Sequence, residues 1–92
     1  MTYRSKKWLQ AVRELDYCVL CGKHGVQAAH RNEGKGIGIK TDDCLTAAIC
    51  SDCHFQIDNA RYMTRQERRS EMDRAIVLTV GKLVESGKLK IV

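Results

Sequence analysis

The chain has 92 residues, 43% of them hydrophobic and 5% aromatic, with no proline and a formal net charge of +5. That length permits one small domain with a modest core, for which a structural metal is a natural stabiliser. No apolar run approaches a membrane span, Met1 to Lys7 form no signal-like segment, and five cysteines do not close into a disulfide framework. We therefore expect an intracellular, cytoplasmic protein with reduced thiols, and the basic balance favours a polyanionic partner such as nucleic acid.

In chain order, Ser5 is suited to cap a first helix over 5–15, with Trp8, Leu9, Val12 and Leu15 on one face. Lys6, Lys7, Arg13 and Glu14 are left for solvent. Cys18-Val19-Leu20-Cys21-Gly22 reads as a knuckle, closed by Gly22 in the left-handed conformation, and His24 sits in an exposed turn beyond it. Val26 to His30 is one arm of a hairpin, and Leu45 to Ile49 is the returning strand that delivers Cys50. Between them, Arg31 to Asp43 contains Gly34, Gly36 and Gly38 with Lys35 and Lys40 and reads as a flexible basic loop. Ser51 or Asp52 is expected to cap a helix through Cys53, His54, Ile57 and Asp58. Thr64-Arg65-Gln66-Glu67 is a capping box opening a helix over 64–86, with Met72, Ile76, Val80 and Leu83 on its apolar stripe. Gly81 weakens the interior of that helix, Gly87 stops it, and Leu89 to Val92 is expected to form a short strand.

Two Cys-x-x-Cys pairs, Cys18/Cys21 and Cys50/Cys53, carry the strongest chemistry, because four thiolates from two knuckles close a tetrahedron around one structural zinc ion. Cys44 is left over and reads as a buried small apolar residue. Knuckle, hairpin, loop and short helix in this order describe a small α+β, zinc-bound fold, a treble clef with a ββα core over 17–60. His54 and Asp58 are four apart on a helix, so both project from one face and can hold a divalent cation. If the hairpin packs on that helix, His30 faces His54 across a cleft, one activating water while the other holds the ion.

The pattern Cys-x-x-Cys, Ala29-His30, Cys-x-x-Cys-His54 resembles the HNH, or ββα-metal, endonucleases. Within them it is most similar to the small phage and prophage group of YbcO-like nuclease-domain proteins. That likeness runs through Ala29-His30-x-Asn32, Gly34-Lys35-Gly36-x-Gly38-x-Lys40, Asp43, Cys50-x-x-Cys53-His54-x-x-Ile57-Asp58 and Thr64 to Arg68. The resemblance implies a metal-dependent DNA endonuclease that acts in DNA recombination or processing inside a bacterial host. It implies His30 as general base and His54 as ligand of a catalytic magnesium or manganese ion, separate from the zinc. Two positions depart from the pattern: Ala29 stands where a metal ligand precedes the base, and the middle asparagine is missing at Asp43-Cys44-Leu45. Asp58 or Asp43 is expected to replace the lost ligand, with Asp58 preferred for its register beside His54.

Arg31, Lys35 and Lys40 are candidates for phosphate contacts. Arg61, Arg65, Arg68 and Arg69 are diluted by Glu67, Glu71 and Asp73 and read first as a solvated helix face. The rival functions are a non-catalytic zinc module that binds nucleic acid and a protein-interaction adaptor on a degenerate nuclease fold. A homodimer is compatible with a chain this short.

Overall fold

A computed structural model describes residues 3–31 and 41–91. It is a small α+β arrangement of three helices and one two-stranded antiparallel sheet, in the order α1 (Lys6–Arg13), β1 (Gln27–His30), β2 (Thr46–Ile49), α2 (Ser51–Asn59) and α3 (Arg65–Glu85). The expected glycine-rich loop, with Asn32, Lys35 and Lys40, lies outside the described residues.

Ser5 caps α1 as its composition predicts, its hydroxyl accepting the Trp8 N–H. The helix stops at Arg13, before Leu15. Leu15 and Asp16 bond back only three residues, to Val12 and Arg13, and Asp16 then takes the left-handed conformation at φ 66°. Aspartate tolerates that region better than most residues, so the chain can turn sharply into the first knuckle. There, Gly22 at φ 79° donates its N–H to the Cys18 carbonyl and closes the turn.

In the hairpin, Gln27 pairs with Ile49, Ala28 with Ala48, Ala29 with Ala47 and His30 with Thr46. Side chains alternate across a strand, so Gln27, Ala29, Ala47 and Ile49 share one face, while Ala28, His30, Thr46 and Ala48 share the other. The first face packs with Cys18, Cys50, Ile57 of α2, and Met72, Ala75 and Ile76 of α3. The second packs with Val12 of α1 and Leu83 of α3, flanked by Trp8, Ala11 and Leu89. Alanine at four of the eight paired positions lets helices approach both faces closely. All four β2 side chains are buried, whereas β1 is buried only at Ala29.

Four expectations are corrected. Cys50, rather than Ser51 or Asp52, caps α2, its sulfur accepting the Cys53 N–H at 3.4 Å. The α3 stripe is Met72, Ala75, Ile76, Thr79 and Leu83, with Val80 only half-buried, because Thr79 turns inward to bond the sheet. No strand forms over 89–91. Lys88 and Leu89 instead donate back to the Leu83 carbonyl in a turn after Gly87, at φ 76°. Cys44 is half-buried rather than buried, beside the turn that enters β2.

Candidate functional site

The two knuckles meet at one end of the hairpin. Cys18 and Cys21 come from the turn after α1, while Cys50 ends β2 and Cys53 lies in the first turn of α2. Val19 donates its N–H to the Ala48 carbonyl, docking the first knuckle on the edge of β2. On the surface, Lys23 and Asp52 join the two knuckles at 2.8 Å. The Cys18 and Cys53 sulfurs are 3.7 Å apart, those of Cys21 and Cys50 are 3.6 Å apart, and all four lie within 4.8 Å of one another. Thiolates at about 2.3 Å from one ion define a tetrahedron with edges of about 3.8 Å. The four cysteines are thus placed to hold a metal ion, and a four-thiolate donor set is that of structural zinc. Burial opposes ionisation of Cys18, but the backbone N–H groups of Cys50, Cys21 and Leu20 hold its pKa down to about 6. Burial and the neighbouring thiols push Cys53 up. Four thiols this close resist ionising together unless a cation sits among them.

At the other end of the hairpin, His30 Nε2 donates to Asp43 Oδ1 at 2.8 Å. A carboxylate only accepts, so Nε2 carries the proton and, in the neutral ring, Nδ1 keeps its lone pair. Asp43 is 5% exposed and thoroughly held. Its Oδ2 accepts the Ser5 N–H at 2.7 Å, its Oδ1 accepts Arg4 Nη1 at 3.1 Å, and its own N–H donates to the Tyr3 carbonyl. Thr46, the residue paired with His30, donates its hydroxyl to the Asp43 carbonyl at 2.9 Å. Burial alone would raise the Asp43 pKa. The bonds from His30, Ser5 and Arg4 win and hold the carboxyl below its ordinary range.

His54 belongs to a different group. Its Nδ1 is 2.8 Å from Gln27 Oε1 and its Nε2 is 3.3 Å from Asp58 Oδ2. If Nδ1–H donates to the Gln27 carbonyl oxygen, the Nε2 lone pair and the Asp58 carboxylate point at the same space. Two such donors repel unless a proton or a metal cation lies between them.

The register puts Gln27, and His54 with it, on the α2 side of the sheet, and His30 on the α1 side. Among the described residues His30 and His54 share no hydrogen-bond partner; the two imidazoles are held separately. Ala29 is 2% exposed and part of the core, so the position before His30 offers no ligand. Among the described residues, the cysteines are the one group of three or more His, Cys, Asp or Glu side chains that could hold a metal. Arg31 pairs with Asp73 of α3 at 3.1 Å, while Lys35 and Lys40 lie outside the described residues. His24 is exposed and stacks edge-on against Tyr17.

Sequence reasoning missed Gln27, Arg4 and Ser5 as partners of these histidine groups. Ser5 was legible only as a helix cap, and nothing local marks Gln27, which reaches His54 across 27 positions. Among the described residues, no helix is long and apolar enough to cross a membrane. Comparisons with protein-family models, with curated proteins and with solved structures find no match for this chain.

Proposed function

We propose that this chain is a metal-dependent DNA endonuclease on an HNH-like, treble-clef core stabilised by zinc on Cys18, Cys21, Cys50 and Cys53. The observation that carries the reading is the His30–Asp43 pair. Its imidazole is fixed on a buried carboxylate through Nε2, and the side chain remains 20% exposed, with Nδ1 left as the base. In that state His30 takes a proton from water as it attacks phosphorus, and Asp43 stabilises the imidazolium that forms. His54 and Asp58 are the residues that would hold magnesium or manganese, with Gln27 orienting the His54 ring. Such an ion, when bound, supplies charge stabilisation at the leaving oxygen.

A non-catalytic zinc module that binds nucleic acid is the second reading, favoured by the burial of Ala29 and the separate partners of the two histidines. Incubating the zinc-loaded protein with supercoiled plasmid in magnesium or manganese separates the two. Nicking that depends on the divalent ion and on His30 supports the nuclease. Plasmid bound but uncut in either metal supports the binding module.

A further inference from the structure

Several cations among the described residues are neutralised where they stand. Lys23 pairs with Asp52, Arg31 with Asp73, Arg74 with Glu71, Lys82 with Glu85 and Lys88 with Glu14. Helix α1 carries a group that is not, as does the approach to α3, where Glu67 and Glu71 dilute Arg61 and Arg65. Lys6, Lys7 and Arg13 are exposed and take no acidic partner among the described residues. Lys6, Gln10 and Arg13 stand at helical spacing on one stripe, with Lys7 beside it, while Val12, Trp8 and Ala11 face the core.

The acids near this stripe are already engaged or off its face. Glu14 is held by Lys88, Asp43 lies inside the His30 group, and Asp16 follows the helix end. Two lysines in a first turn without an acidic residue also oppose the helix dipole, so the arrangement works against the helix itself. An anionic partner on this face reverses that penalty. The same end of α1 is wired to the histidine site, through Ser5 N–H and Arg4 on Asp43.

We propose that the exposed face of α1, through Lys6, Lys7 and Arg13, is the surface on which the phosphate backbone of DNA lies as it approaches His30. This rests on the reading of DNA as the partner and extends it to a specific surface. Over the seven steps from Lys6 to Arg13 the helix rises roughly 10 Å, a span that meets two or three phosphates. An anionic lipid surface fits less well, because the apolar side of α1 is spent on the core, with Val12 fully buried.

The test is the charge reversal Lys6→Glu/Lys7→Glu, beside Arg61→Glu/Arg65→Glu as a matched control at the start of α3. Binding of a labelled duplex is followed by fluorescence anisotropy from roughly 50 to 200 mM salt. Each phosphate contact removed lowers the slope of log K against log salt by about 0.9, so the α1 variant should lose about 1.8. Its affinity at roughly 0.1 M salt should fall about tenfold or more, while the control changes far less. Because acids suit a helix N-terminus, the α1 variant should melt no lower than wild type, which separates lost binding from lost fold. The proposal is overturned if the α1 variant keeps the wild-type slope, or if the control loses as much. It is equally overturned if the wild type binds anionic phospholipid vesicles but not duplex. Binding that depends on α1 without any cleavage would remove the nuclease reading and leave this surface standing.

Discussion

Asp43 was open to two roles in the sequence, catalytic group or substitute metal ligand, and its surroundings decide which role the fold supports. His30 and Arg4 meet Oδ1 and Ser5 N–H meets Oδ2, so both carboxylate oxygens are engaged within the protein. Its pKa is lowered, so its contribution to stability is fully present above the ordinary aspartate range and is lost as pH falls through the lower native value. Asp43→Asn should cost about 1.5–3 kcal/mol at neutral pH, the worth of hydrogen bonds to a charged group. In urea denaturation, the gap between wild type and Asp43→Asn should stay constant from pH 7 down to about 5 and narrow below about 4. A gap that is unchanged at pH 3 would mean the carboxylate charge is not what holds this cluster together.

Among the elements, α3 makes the most extensive junction with the sheet through Thr79. Its buried hydroxyl donates to the Ala75 carbonyl at 2.7 Å and accepts the Ala48 N–H of β2 at 2.9 Å. Thr79→Val keeps the shape but strands that strand N–H, and should lower unfolding free energy by about 1–3 kcal/mol. Amide exchange at Ala48 would accelerate with it, and unchanged exchange there would contradict the account. The sequence could not announce this contact, because Thr79 and Ala48 are 31 positions apart and a threonine on an apolar stripe looks like a defect. What was legible was local. The Ser5 cap, the knuckle turn at Gly22 and the Thr64–Glu67 capping box each need only a few neighbouring residues, and each formed. The last strand failed for the converse reason: a strand needs a partner ladder, and Leu89 found a turn and an apolar contact instead. Alternation along β1 already placed Ala29 and His30 on opposite faces. Only the register and the helix on each face could show that His54 falls with Ala29 and not with His30.

For the molecule as a whole, the sheet has two strands of four residues, too little to stand alone, and the cysteine cluster joins its end to the first knuckle and α2. Structural zinc sites carry about 10–16 kcal/mol of binding free energy that is realised on folding. Treatment with a strong chelator at neutral pH should therefore abolish the cooperative thermal transition, and stoichiometric zinc should restore it. An unchanged melting temperature in chelator would mean that the core is self-sufficient and the cluster is incidental.

The central claim joins this scaffold to chemistry at His30, and cleavage of supercoiled plasmid by wild type and His30→Ala, with zinc content measured in both, tests it most directly. The account predicts divalent-dependent nicking by the wild type and a loss of about 10²-fold or more in the variant at equal zinc content. Equal nicking by both proteins, or none by the wild type, would contradict it.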